Sequence, residues 1–247
     1  MDDLIKLFKR RTGYDPDLDN PQTYCEKVTW DKINRRDLRK VTYSDKAWSR
    51  KHIKGKSEAL PIPEPSDYPI VVKPNNYSGR VKIAKNKTEL DSAIRNFKAL
   101  PGNYGKEKLE WWYGEIEPKI VLEQYLPEFI ELKFFCYDGK ARYIYHKEGK
   151  ESKTFFDIQG NNMGVDGIIY GDLMSKKHIK EIPECVDLER MRIASETLSE
   201  DWPQIRVDFL WVDGTIYFTE YTFAHWSGMV QWQPKDFDYK LGEYWQL

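Results

Sequence analysis

The chain has 247 residues, enough to bury one large core or to form two lobes. Lys and Arg total 39 against 40 Asp and Glu, a net charge of -1, which excludes a globally basic nucleic-acid binder and leaves local basic grooves open. Cys25, Cys136 and Cys185 form no CxxC pair, which excludes a disulfide framework or zinc knuckle and fits a reducing, cytoplasmic setting.

At the N-terminus, the apolar run Leu4, Ile5, Leu7, Phe8 breaks into Lys9-Arg10-Arg11. It is too short and too charged for a signal peptide or a membrane span. Residues 1–60 read as polar and mixed. Asp15-Pro16-Asp17 has the Asp-x-Asp look of some metal-dependent glycosyltransferases, although two acids in a loop are usually solvated turn residues. Gly55-Lys56-Ser57 resembles the end of a P-loop, but Arg50 stands where the leading glycine belongs and no strand precedes it. The kinase motif set is absent. Leu60-Pro61-Ile62-Pro63-Glu64-Pro65 is a stiff connector and the best boundary.

Pro69 to Lys73 reads as a buried strand, followed by the polar turn Pro74–Arg80 and a second strand, Val81 to Ala84. A turn with free backbone N–H groups beside Lys73 suits phosphate oxygens; the competing reading is a lysine snorkelling off a strand end. Thr88 is expected to cap a helix with apolar positions Leu90, Ala93, Ile94, Phe97 and Leu100, stopped by Pro101-Gly102. Lys119 to Glu123 is a strand, and Gln124-Tyr125-Leu126-Pro127 a short link. Glu131 to Tyr137 and Ala141 to His146 form a hairpin around Asp138-Gly139. A helix runs from Asp187 to about Glu200. Without strict βαβ alternation, the fold class is α+β with antiparallel sheets.

The most informative stretch is a second hairpin, Ile205–Trp211 and Ile216–Thr222, turning at Asp213-Gly214 and carrying Asp208 and Glu220 on opposite arms. A two-residue turn alone would set Asp208 against Thr219. One extra bulged residue would bring the acids directly opposite, roughly 4.5–5.5 Å apart at Cβ. Like charges that close call for a cation, and carboxylates beside phosphates suit Mg²⁺. The competing reading is a pair of rim acids bonded to Arg206 or a neighbouring lysine. The aromatic tail Ala224–Trp232 offers Trp226 and Trp232 either as lobe packing or as sugar-stacking faces, and His225 either as a base or as a structural hydrogen-bonding group.

In order, the motifs resemble the ATP-grasp superfamily, and more narrowly its TupA-like branch, linked with cell-surface polysaccharides such as teichuronopeptide. The resemblance runs from about Pro21 to the C-terminus. It is carried by Glu26-Lys27-Val28-Thr29-Trp30, Ser44-Asp45-Lys46, Ile70-Val71-Val72-Lys73-Pro74-Asn75 and Val121-Leu122-Glu123-Gln124-Tyr125-Leu126. It continues in Leu132-Lys133-Phe134-Phe135, Asp138-Gly139-Lys140, Arg206-Val207-Asp208, Phe218-Thr219-Glu220-Tyr221-Thr222-Phe223 and Leu241-Gly242.

The resemblance implies an ATP-grasp fold, two α+β lobes clamping a nucleotide. The expected divisions are 1–65 (a reduced N-terminal region and linker), 66–125 (lid lobe) and 126–247 (C-terminal lobe with the metal site). It implies ATP and Mg²⁺ as cofactors. Lys46 and Lys73 match the phosphate-gripping lysines, with Ser78 and Gly79 in the covering turn. Glu123 matches the acid on the adenine amino group, Gln124, Tyr125 and Leu126 its backbone edge, and Glu131 the ribose ligand; Lys133 completes the nucleotide set. Asp208 and Glu220 match the magnesium carboxylates and Arg206 the arginine near the reacting phosphoryl group. Thr222 stands where many members have an asparagine metal ligand, so a hydroxyl or a water serves there. The implied activity is a carboxylate–amine ligase joining an amino acid to a saccharide uronate in polysaccharide or capsule assembly, with other assembly proteins as partners. The alternatives are a phosphotransferase acting on a saccharide hydroxyl, and a non-catalytic nucleotide-binding component.

Overall fold

The computed structural model describes residues 2–101, 104–149, 152–169, 172–173 and 177–247. The first sixty residues, in which no element stood out, carry helices α1 (Asp2–Thr12), α2 (Tyr24–Asn34), α3 (Arg39–Ser44) and α4 (Lys46–His52). A capping box starts α2. Thr23 Oγ1 accepts from Glu26 N at 3.1 Å and Glu26 Oε2 accepts from Thr23 N at 2.9 Å. The Glu26 carboxylate also takes the N–H groups of Asp17 and Gln22, each at 3.0 Å. Lys27 donates to the carbonyls of Gly242 and Trp245 at 3.0 and 2.8 Å. The early Glu-Lys motif is therefore a clasp between the two ends of the chain. Asp17 does not join a metal site; it accepts the N–H groups of Asp19 and Asn20 in a local turn.

Strand β1 (Leu60–Pro61) is followed by the small sheet, β2 (Ile70–Pro74), β3 (Lys82–Ala84) and β4 (Ile120–Gln124), ordered β3-β2-β4. Helix α5 (Lys87–Lys98) covers one face, packing Leu90, Ala93, Ile94 and Phe97 on Ile70, Val72 and Ala84. Its cap is Asn86 rather than Thr88: Asn86 Oδ1 reaches the Glu89 N–H at 3.0 Å, and Thr88 falls inside the first turn. Gly102 of the expected stop lies outside the described residues.

The large sheet draws on β5 (Ile130–Tyr137), β6 (Lys140–Glu148) and β7 (Ser152–Asp157). After β8 (Asp166–Ile169), β9 (Asp172–Leu173) and α6 (Leu188–Ser199), it is completed by β10 (Ile205–Val212) and β11 (Thr215–Thr222). Its order is β1-β11-β10-β5-β6-β7, antiparallel except for β1 on β11. Leu60-Pro61 is thus a paired edge strand as well as a connector. At both hairpin tips the Asp and the Gly have positive φ (46° and 69° at Asp138-Gly139, 46° and 79° at Asp213-Gly214), as a tight two-residue primed turn requires. The tail is ordered too: a short turn at His225–Gly228, then β12 (Gln231–Gln233), paired with β8, and α7 (Phe237–Glu243).

The rich aromatic content fills the large core, where Phe134, Phe135, Phe155, Phe156, Phe209 and Phe218 are fully buried and Trp232 packs among them. The fold is α+β with antiparallel sheets, and among the described residues no helix is long and apolar enough to cross a membrane. Gly242 lets α7 lie on the entry to α2, where an added Cβ would sit 2.7 Å from the Gln22 carbonyl oxygen and the Tyr24 nitrogen. Gly242→Ala is therefore expected to cost about 1–3 kcal/mol of stability by overpacking. Denaturant unfolding measures it, and a wild-type midpoint would contradict the clasp.

Candidate functional site

The two sheets face each other across a cavity of about 680 Å³, within the range of small-molecule sites. The alternation that buries Ile70 and Val72 under α5 turns Val71 and Lys73 to the cavity, joined from β4 by Glu123. Glu131, Lys133, Arg206 and Glu220 face them from the large sheet. Every residue expected to hold nucleotide, metal or the reacting phosphoryl group lines this space except Asp208.

Asp208 and Glu220 are direct partners across β10 and β11, and the register shifts between Asp208 and Phe209. The tight turn and one bulge together bring the acids opposite each other. Their surroundings differ sharply. Asp208 is fully buried behind the cavity wall. Arg206 grips it with Nε on Oδ1 and Nη2 on Oδ2, both at 2.7 Å, and Lys133 bonds Oδ2 as well. Glu220 stands on the wall, with Lys46 at 3.2 Å and Arg206 Nη2 at 4.0 Å. Arg206 also donates to Thr222 Oγ1 at 2.9 Å and contacts His225 Nδ1. A guanidinium only donates, so His225 Nδ1 accepts, which makes it a structural group here. Burial first, and then Arg206, hold His225 well below the ordinary histidine range.

On the opposite wall, Lys73 pairs with Glu123 at 2.5 Å and Arg50 approaches the same acid at 3.8 Å. Arg50, noted in the sequence only as a missing glycine, also donates to the Leu122 carbonyl at 3.2 Å. Two motifs distant in sequence interlock at Asn75. Its side-chain nitrogen donates to Asp45 at 2.9 Å, and its carbonyl accepts from Lys46 N at 3.3 Å. Asp45 in turn caps α4 through Ala47 N at 2.8 Å, so Lys46 enters the cavity from a fixed helix start. Lys46 Nζ also donates to the Tyr77 carbonyl at 2.7 Å, and Tyr104 donates to the Ser78 carbonyl at 3.3 Å. The Ser78-Gly79 turn is thereby tied to both sides of the cavity. At the link, Gln124 N donates to the Pro63 carbonyl at 2.9 Å, which leaves the backbone of Tyr125 and Leu126 as the edge beside the cavity.

Lys147, Lys153 and Tyr113 line the cavity too, without having been foreseen, and of the two tail tryptophans Trp226 lines it. Register holds the missing signal: Lys133 pairs with Tyr145, so Lys147 two residues on shares its face, and Lys147 in turn pairs with Lys153. Among the described residues no group of three or more His, Cys, Asp or Glu could hold a metal alone. Of the three expected metal residues, Glu220 faces the cavity, where a magnesium ion could take its other ligands from phosphate and water, whereas Asp208 sits behind the wall with both oxygens on Arg206 and Lys133, and the Thr222 hydroxyl accepts from Arg206. Burial acts to raise the pKa values of Glu131 and Glu220, but lysines and, for Glu220, Arg206 outweigh it and bring each down to about 2. Their contribution to stability is therefore complete above pH 4.5 and lost as pH falls towards 2. Acid titration of unfolding should show this limb flattened in Glu131→Gln; an unchanged limb would contradict the pairing.

A family model described as TupA-like ATPgrasp matches residues 26–246. No curated protein matches the sequence. Among solved structures, the D-alanine–D-alanine ligase of Helicobacter pylori aligns over 89% of this chain and 67% of its own, at 14% identity and a TM-score of 0.54. That of Bacillus anthracis complexed with ATP aligns over 74% and 54%, at 19% identity and a TM-score of 0.44. The biotin carboxylase domain of the Hydrogenobacter thermophilus 2-oxoglutarate carboxylase, solved with MgADP, aligns over 74% and 40%, at 18% identity and 0.41. The chain thus spans about half to two thirds of the D-alanine–D-alanine ligases it matches, and at these identities the likeness is one of fold. An α+β fold with antiparallel sheets, and a family match running from the α2 clasp nearly to the last residue, lead to one conclusion: the chain belongs to the TupA-like ATP-grasp family.

Proposed function

We propose that this chain is an ATP-dependent carboxylate–amine ligase that works through an acylphosphate. The proposed product is an amide between an amino acid and a uronate of a cell-surface polysaccharide or its precursor, made in the cytoplasm alongside other assembly proteins. One observation carries this reading: Lys46 from α4, Lys73 from β2, and Arg206 and Glu220 from the late hairpin line a single cavity. Residues 66–125 then act as the lid lobe, 126–247 as the lobe bearing the metal site, and 1–65 as a reduced N-terminal region.

The chemistry needs those charges. A triphosphate meeting a carboxylate is a collision of anions, each pair costing about 4 kcal/mol at 4 Å in an effective dielectric near 20. Lys46 and Lys73 offset that repulsion at the phosphates. Arg206 is held on three sides by Asp208, Thr222 and His225, so its charge is already in place at the reacting group. Glu123, with the backbone of Tyr125 and Leu126, would take the adenine edge, and Glu131 the ribose. Lys133 keeps its proton: burial works against its charge, and Asp208 and Glu131 overcome that. Magnesium, when bound by Glu220 and Asp208, supplies Lewis-acid stabilisation of the phosphoryl oxygens. The tethered Ser78-Gly79 turn excludes water, which would hydrolyse the acylphosphate.

Incubation with ATP, Mg²⁺ and pools of uronates and amino acids, quenched with hydroxylamine, should yield a hydroxamate. Phosphate found instead on a sugar hydroxyl would replace the ligase with a phosphotransferase. Glu220→Gln and Asp208→Asn should each lower turnover by roughly a hundredfold or more with the fold retained by circular dichroism, and wild-type rates in either would remove its metal assignment. Lys73→Ala should weaken ATP binding about tenfold, and unchanged affinity would remove its phosphate role.

A further inference from the structure

Past Arg206 the cavity continues along Ala224–Ser227, a wall that the nucleotide reading does not use. Trp226 and Ser227 there have φ of 47° and 62°, left-handed conformations that are unfavourable for residues bearing a Cβ. Such strain persists where its surroundings enforce it. Buried Lys32 donates to the Ser227 carbonyl at 2.5 Å. The backbone at Gly228 passes so close to α2 that an added Cβ would lie 2.5 Å from that of Val28. The turn holds the half-buried Trp226 ring at 4.3 Å from His225 and edge-on to Tyr145 at 5.8 Å.

Charge points the same way. Among the described residues lining the cavity, nine side chains are Lys or Arg and four are carboxylates, with Asp208 offsetting one more from behind. A nucleoside triphosphate carrying one magnesium brings only about two net negative charges, so a positive surplus remains. Lys147 and Lys153 are direct partners across β6 and β7, an unfavourable arrangement of like charges. Lys147 is bonded to Glu131 at 3.1 Å. Lys153 shares its strand face with Phe155, which packs on His225 at 6.0 Å, so its charge stands beside the Trp226 turn. Burial and Lys147 lower the pKa of Lys153 while Asp166 raises it, and its side chain lines the cavity.

We propose that the Trp226 turn and Lys153 form a subsite for an oligosaccharide of uronic acids, one ring stacked on the indole and a neighbouring ring's carboxylate on Lys153. This rests on the ligase reading and deepens it, since the stacked chain would present the adjacent carboxylate towards Arg206. The C–H face of a sugar covers apolar ring surface while the lysine takes the charge; a neutral sugar satisfies only the first.

Calorimetry on the full chain tests this, titrating trigalacturonate and maltotriose into protein saturated with Mg²⁺ and AMP-PNP. Trigalacturonate is expected to bind about tenfold or more tightly than maltotriose, the scale of one added charged contact. Trp226→Ala and Lys153→Gln should each weaken it about tenfold, with AMP-PNP affinity held and Trp226→Phe restoring most of the loss. Equal affinity for the two trisaccharides, no trisaccharide binding beside bound AMP-PNP, or wild-type binding by both variants would overturn the subsite. Trigalacturonate bound through these residues by a chain that takes no AMP-PNP would overturn the ligase reading and leave the subsite standing.

Discussion

The cavity is organised by compensation of buried charge. Glu123, Glu131, Asp208 and Glu220 lie between or just behind two sheets, where an unpaired carboxylate would be strongly disfavoured. Each has a cation instead: Lys73 on Glu123, Lys133 and Lys147 on Glu131, Arg206 and Lys133 on Asp208, Lys46 on Glu220. Lys46 of α4 pairs with Glu220 on β11, and Arg50 of the same helix approaches Glu123 on β4, so α4 ties the large sheet to the small one. Breaking one pair exposes the next, so this chain of charges constrains every element that supplies it.

The same network sets what the site favours. Among the described residues of the cavity wall cations outnumber acids, and the low pKa values of Glu131 and Glu220 keep those acids ionised at neutral pH. Arg206 is not a mobile surface charge. Its hydrogen bonds are shared among Asp208, Thr222 and His225, which fixes where its charge stands. The Asn75 junction does the equivalent for Lys46, joining the cap of α4 to the end of β2.

Much of this was legible in the sequence because the signals were local. Asp-Gly tips marked both hairpins, alternation gave the strand faces, and the spacing of Leu90, Ala93, Ile94 and Phe97 gave α5. The ordered motifs identified residues that the fold gathers around one cavity. What escaped depended on partners distant in sequence. Asp208 recedes behind the wall with its carboxylate on Arg206 of its own strand, the competing reading of the hairpin, and on Lys133 of β5, a partner the hairpin does not announce. Trp226 and Trp232 look alike in the chain, yet only Trp226 lines the cavity, since the left-handed turn depends on Lys32 and Val28 from α2. The N-terminal helices were missed because their residues are strongly polar, although the Thr23–Glu26 capping box is a local signal; the Lys27 clasp depends on C-terminal carbonyls distant in sequence.

The most direct test is a crystal structure of the chain with magnesium and AMP-PNP. The account predicts a triphosphate between Lys46 and Lys73 and a metal about 2.1 Å from a Glu220 carboxylate oxygen, the usual magnesium distance. A nucleotide seated outside the cavity, or a metal out of reach of both Glu220 and Asp208, would contradict it.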